Sequence, residues 1–259
     1  MFNLTPVVRV LLVLNVLVFL VTNETIIDKF GLHSFLSDKF NPIQLLTHLF
    51  LHAGFGHIFS NMIGLIAFGP MLEMFWGPRR FVFFYLFCGI GAALLFSGIN
   101  YIEVRDVYES IQAYRVSPGY DNFSVFIDQH AGYLYDQLLP FLEKFKSYPT
   151  DSKNIQDSVA IANRIFLNQV DEPLVGASGA IFGIIMGFGL LFPNTQLFLL
   201  FLPIPIKAKY LVTLYGAMEL YSGIHRAQTD NVAHFAHIGG MLFAFILVKY
   251  WGSQRKTFY

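Results

Sequence analysis

Residues 174–192 read LVGASGAIFGIIMGFGLLF, nineteen positions without a single charged side chain. A helix of about 20 mostly apolar residues is what crosses the roughly 30 Å hydrocarbon layer of a bilayer, so this stretch is expected to be a membrane span. Gly179, Gly183 and Gly187 recur every four positions, which bares the backbone for close approach by another helix. The one hydroxyl in the stretch is Ser178. Outward from it, five further stretches meet or approach the same requirement: Val7–Val21, Ile58–Phe75, Phe81–Ile99, Tyr210–Ile224 and Ala233–Trp251. The whole composition agrees, since hydrophobic residues are 55% and charged ones 13%, against about 45–50% and about 25% in soluble domains. A mean hydropathy of +0.53 would leave a soluble globule with more apolar surface than its core could hide. The expected architecture is an all-α polytopic membrane protein, a six-helix bundle over residues 1–259. Seventeen bases balance seventeen acids, so no basic field points to nucleic acid. The single cysteine, Cys88, cannot form an internal disulfide.

Val7–Val21 also resembles the apolar region of a secretory signal, but no small-x-small cleavage pattern follows it in Val21-Thr22-Asn23-Glu24-Thr25. It is expected to be a retained helix. With six spans, Arg9, Arg79, Arg80, Lys207, Lys209, Lys249, Arg255 and Lys256 fall on one side, which the bias of basic loops assigns to the cytoplasm together with both termini. Segments 22–57, 100–173 and 225–232 then lie outside. Residues 100–172 are the one long polar stretch, with six bases against eleven acids and a net charge of −5. Apolar residues recur there at helical spacing over 123–138 and 155–166, separated by breaks at Pro118-Gly119 and at residues 148–151. A helical insert between spans three and four, resting on the outer membrane surface as a spacer, is the reading. Residues 197–206, with Pro203 and Pro205, are too short to span and read as a re-entrant or interfacial loop.

Polar residues inside a membrane are costly, so each is a candidate functional group. Ser178 and His237 each lie four residues into a span that enters from outside, and His57 and Asn61 sit one turn apart at the outer end of span two. All four share one depth. Span six offers Gly240 and Ala244 on the face of His237, which matches the glycine stripe of span four and would bring the imidazole to the Ser178 hydroxyl. A serine becomes a nucleophile when an adjacent base takes its proton. The oxyanion that follows needs donors, and the His57 ring, the Asn61 amide and backbone N–H near Ser178 supply them. Each feature alone has a plainer meaning: helix packing for the glycines, an interfacial position for the histidines.

Taken together, Gly176-Ala177-Ser178-Gly179, the His57-x-x-x-Asn61 pair and Ala236-His237-Ile238-Gly239-Gly240 resemble the rhomboid family of intramembrane serine proteases. The resemblance covers about Phe40 to Trp251 apart from the insert, and the surrounding wording is similar to bacterial, Bacteroidetes-type members. It implies a serine endopeptidase of the inner membrane that uses no cofactor and cuts transmembrane substrates near their outer edge, with small residues at the cut. Ser178 matches the family's nucleophile and His237 its base, as a dyad without a third acid. His57 and Asn61 match the oxyanion-stabilising pair. His52 matches a histidine regarded as structural, and Phe182 stands where many members carry a tyrosine stacked on the base. Gly176, Gly179 and Gly240 fall within the matching motifs. Span five and the loop around Ser222–Val232 are implied to move as substrate enters. The first outer loop lacks the family's Trp-Arg pair, so its anchoring is expected to differ.

Two other classes compete. A metal centre on His48, His52 and His57, or on His234 and His237, would by analogy with zinc proteases call for His-Glu-x-x-His, whereas His48 is followed by Leu49-Phe50-Leu51-His52. Histidine pairs on neighbouring spans can also hold a haem, which would leave the serine and glycine placements without a purpose. A rhomboid-like protein that binds membrane clients without cutting them is the further alternative, and the intact Ser178 and His237 argue against it. Nothing in the sequence sets the oligomeric state.

Overall fold

The computed structural model describes residues 4–199, 202–225 and 232–254. The bundle is made by α1 (Pro6–Val21), α4 (Phe55–Trp76), α5 (Pro78–Val116), α9 (Ser178–Leu191), α10 (Ala208–Ile224) and α11 (His234–Gln254). Among the described residues, α4, α5 and α11 are long and apolar enough to cross a membrane, while α1 and α9 are shorter apolar helices. Short α2 (Glu24–Phe30) and α3 (Gln44–Thr47) lie in the first connecting loop, and a 3₁₀ turn at His48–Phe50 follows α3. The chain is thus an all-α membrane bundle with one small β element.

Apolar faces of α1, α4, α5, α9, α10 and α11 meet in one core that includes Val8, Leu65, Phe81, Phe84, Ile184, Val212 and Ala244. A buried carboxylate fastens the first helix to it. Glu73, near the end of α4, accepts the backbone N–H groups of Val7 and Val8, each at 2.9 Å, and the Thr5 hydroxyl. These are orphan donors of the first turn of α1, so an acid from another helix does the work of a cap and meets the positive end of the α1 dipole.

The third span does not stop at Ile99. No helix breaker lies between Ile99 and Ser117, so α5 continues without interruption to Val116. Its outer half joins α6 (Tyr120–Ala131), α7 (Tyr135–Ser147) and α8 (Ser152–Asp171). The expected breaks at 118–119 and 148–151 fall between these helices, and Asp151 caps α8 by accepting from the amides of Lys153 and Asn154. The apolar stripes of the insert turn toward one another. Val107, Ile111 and Tyr114 of α5 pack with Phe123, Phe126 and Ile127 of α6, Leu142 and Phe145 of α7, and Ala162 and Ile165 of α8. Four amphipathic faces can close a core that a single one must leave to the membrane.

Within the loop expected over residues 197–206, the described residues form strands. Gln196–Leu199 (β1) and Leu202–Lys207 (β2) pair as an antiparallel hairpin, with Gln196 opposite Lys207 and Leu197 opposite Ile206. Pro203 and Pro205 are tolerated there because both strands of a two-stranded ribbon are edges and need donate on one side only.

The first loop is anchored by its own polar groups. The buried Gln44 amide accepts from the backbone N–H of His33 (3.3 Å) and Asn41 (3.1 Å) and donates to the carbonyls of Lys29 (3.2 Å) and Lys39 (3.0 Å). That uses both donors and both acceptor positions of the side chain. Ser37 donates to Asp171 at 2.6 Å, and Lys39 pairs with Asp28 at 2.7 Å. Lys39 holds the exposed Asp28 carboxyl below its ordinary pKa.

Candidate active site

Sequence reading starts the fourth span at Leu174, but α9 begins only at Ser178. The residues before it are extended: Leu174 forms a bridge with Leu32, by N–H···O bonds of 2.8 and 2.9 Å, and Gly176 donates to the His48 carbonyl at 2.9 Å. Gly176 has φ +129°, a backbone conformation that side chains other than glycine rarely adopt, and this turn keeps the helix from starting earlier. Fourteen residues of α9 make a helix of about 21 Å, well short of a bilayer core of about 30 Å. A helix of that length leaves at least one of its ends within such a layer. Non-helical backbone at that depth persists where protein or a water-lined cavity surrounds it. Ser178 is the first helical residue, so its amide and those of Gly179 and Ala180 precede the first intrahelical bond, made by Ile181 to Ala177. The positive end of the α9 dipole lies at the serine.

One turn on, Phe182 lies on the face of Ser178 and stacks on the His237 ring, with centroids 4.1 Å apart and planes 8° from parallel. Helices α9 and α11 can come this close because glycines line their tightest point of contact. A Cβ on Gly240 would stand 1.8 Å from the Gly179 carbonyl oxygen, and one on Gly179 would stand 2.5 Å from the Ala92 Cβ of α5. On the other side of the serine, a Cβ on Gly176 would lie 2.6 Å from His57 Nε2 and 3.7 Å from Ser178 Oγ. The tip of the His57 ring and the serine hydroxyl therefore converge on one glycine. Asn61, one turn along α4, is 5% exposed, and its Nδ2 meets no acceptor among the described residues. A buried donor of this kind suits a developing negative charge. His52 is buried with its ring edge-on to His57 at 5.1 Å.

The expected set comes together as follows: His57 and Ser178 meet at Gly176, Phe182 meets His237, and Gly179 meets Gly240. Asn61 shares a helix face with His57, and His52 supports the His57 ring from behind. Sequence reading missed Glu219 of α10. Its Oε2 is 2.9 Å from His237 Nδ1 and 2.6 Å from His234 Nδ1. Glu219 is the one acid between Ala208 and Ile224, and an ionisable residue inside an expected span was signal enough to find it. Glu219, His234 and His237 are also the group of metal-ligating type among the described residues, with ligand atoms within 4.8 Å of one another. Part of the loop implied to move, 226–231, and the basic residues Arg255 and Lys256 lie outside the described residues.

Comparison with known proteins gives one finding. A family model described as Rhomboid domain matches residues 39–103 and 158–254, more than half of the chain, and leaves out the stretch between. A search of curated proteins returns no match.

Proposed function

This chain belongs to the rhomboid family, and from that premise we propose that it is an intramembrane serine endopeptidase working through Ser178 and His237. Ser178 Oγ attacks the scissile carbonyl of a transmembrane substrate while His237 Nε2 accepts the hydroxyl proton. The tetrahedral oxyanion is stabilised by the Ser178 amide at the α9 N-terminus, the Asn61 Nδ2 donor and the His57 ring. His237 then returns the proton to the leaving amine, and water hydrolyses the acyl-enzyme with His237 as base. No cofactor enters this chemistry.

The observation that carries the reading is the meeting of His57 with Ser178 around Gly176 while His237 stacks on Phe182 one turn away. A chain built only to bind clients has no use for a serine beside the tip of one histidine ring and a second histidine held on an aromatic ring one turn away. We further propose that the site opens to the outer face of a bacterial inner membrane, with small residues preferred at the cut. Supporting that orientation, Glu73 joins the end of α4 to the start of α1, and Arg80 lies 5.8 Å over Trp251 near the end of α11. The basic ends Arg9, Arg79, Arg80 and Lys249 thus gather at one end of the bundle, the arrangement expected of a cytoplasmic side.

The test uses the full chain in detergent with a transmembrane model substrate and a fluorophosphonate probe. The unmutated protein should cleave the substrate and take the label, and Ser178→Ala should do neither. An unmutated protein that does neither, or a Ser178→Ala protein that matches it, overturns the proposal.

A further inference from the structure

We propose that Glu219 is the positioning residue of this site: its carboxylate accepts the Nδ1 proton of His237, fixes the imidazole in the tautomer that leaves Nε2 bare toward Ser178, and holds His234 by the same oxygen. This rests on the protease reading and deepens it.

A neutral imidazole has two tautomers, and the one that carries its proton on Nε2 cannot accept from a serine. Something must choose. Stacking on Phe182 holds the plane of the His237 ring but is compatible with either flip of the ring about its Cβ–Cγ bond. An in-plane hydrogen bond at Nδ1 removes that freedom, and the 2.9 Å contact with Glu219 is such a bond. The stack comes from α9, the carboxylate from α10 and the ring from α11, so three helices jointly set one nitrogen.

The surroundings of Glu219 agree. Its side chain is 15% exposed, a costly place for a carboxylate unless donors face it. His237 and His234, 11% and 10% exposed, provide two ring N–H donors to Oε2. A metal held by the same three residues would need different spacing. Ligands about 2.1 Å from a tetrahedral zinc stand roughly 3.4 Å from one another, whereas here the separations from Oε2 are 2.6 and 2.9 Å. Those are hydrogen-bond lengths.

Proton accounting is closed. Ser178 Oγ loses its proton to His237 Nε2 as the Oγ–carbon bond forms, and Nε2 passes that proton to the departing amine nitrogen as the peptide bond breaks. The Nδ1 proton stays on the ring throughout, and Glu219 stays ionised, stabilising the imidazolium between the two transfers. Among the described residues, the titratable groups that face His237 are Glu219 from α10, His234 one turn earlier on α11, and His57 from α4.

The full-length protein in detergent is compared with Glu219→Gln, Glu219→Ala, Glu219→Asp and Ser178→Ala, with folding checked by circular dichroism and gel filtration. Fluorophosphonate labelling of Glu219→Gln and Glu219→Ala is expected to be at least about tenfold slower, part of the 10²–10⁴ that a well-placed base contributes. The labelling–pH profile should change in both variants, and Glu219→Asp should recover part of the rate. Unchanged rates and profiles in folded Gln and Ala variants overturn the proposal. So does stoichiometric zinc in the purified protein with labelling that a chelator abolishes. An independent reading comes from ¹⁵N-histidine spectra, with His237 assigned through His237→Gln. Nδ1 should be protonated in the unmutated protein and lose its hydrogen-bonded shift in Glu219→Ala. A His237 found with its proton on Nε2 while Glu219 is intact refutes the positioning role, whether or not the protein labels. Absence of labelling in the unmutated protein, with Nδ1 protonated as expected, refutes the protease reading instead.

Discussion

Phe182 and His237 lie ring on ring, 4.1 Å between centroids and 8° between planes, so the side chain one turn after Ser178 is the floor on which the imidazole rests. The floor is apolar. It sets the plane of the ring and asks nothing of its protonation.

Removing the floor should therefore weaken the base without abolishing it. A ring pair of this kind is worth about 0.5–1.5 kcal/mol, which corresponds to roughly two- to tenfold in rate. Phe182→Ala is expected to slow fluorophosphonate labelling by that factor, and Phe182→Tyr, which keeps the ring, should label like the unmutated protein. A Phe182→Ala protein that labels at full rate would show that the stack does not position His237.

The approach of α9 to α11 depends on Gly240. Its added Cβ would sit 1.8 Å from a backbone oxygen, which cannot swing aside as a flexible side chain can. Overpacking ordinarily costs about 1–3 kcal/mol, and Gly240→Ala should reach the upper part of that range or beyond. A lower Tm in detergent, or loss of folded protein, is expected. Gly252→Ala, on the same helix with nothing within 4 Å, should not lower Tm. Equal Tm values for the two variants would contradict the close contact.

The insert has its own core and is expected to behave as a separate unit. Phe145 is fully buried there, and truncation of such a ring costs about 3–5 kcal/mol. Phe145→Ala should open residues 117–151 to limited proteolysis while labelling of Ser178 continues. Deleting residues 104–168 should likewise spare the label, since the Ser37–Asp171 and Leu32–Leu174 contacts that hold the first loop lie outside the deletion. Complete loss of labelling in a folded deletion variant would tie the insert to the chemistry.

Within the insert, His130 of α6 gives a pH dependence. Burial of its ring lowers its pKa below the ordinary 6.5, and Asp106 opposes that only in part. The unfolded insert therefore binds more protons than the folded one below about 6.5, and its stability falls as pH drops through that value toward the lowered folded one. Protection factors in α6 and α8, with exchange corrected for its intrinsic pH dependence, should fall over that window, and His130→Gln should flatten the response. Protection factors that do not change between pH 7 and 5 would refute it.

Much of this protein is legible along the chain. Membrane spans are local facts: a run of apolar residues must be helical in hydrocarbon because its backbone has no other partner. The segments around α1, α4, α10 and α11 follow from that alone to within a few residues. Ser178, His57, Asn61 and His237 stand out for the same reason, as polar groups where polarity is expensive. What tertiary structure decided is where non-local partners override a local pattern. Leu174–Ala177 are as apolar as the helix they precede, yet Leu32 and His48 give their backbone other partners, and α9 starts late. The stripes of α6, α7 and α8 carry the same periodicity whether they meet lipid or one another, and only their closure on α5 distinguishes the two. Glu219 is one acid in a span by sequence. It becomes the partner of His237 only when α10 is laid beside α11, because a hydrogen bond is decided by a distance across helices that spacing along the chain does not encode.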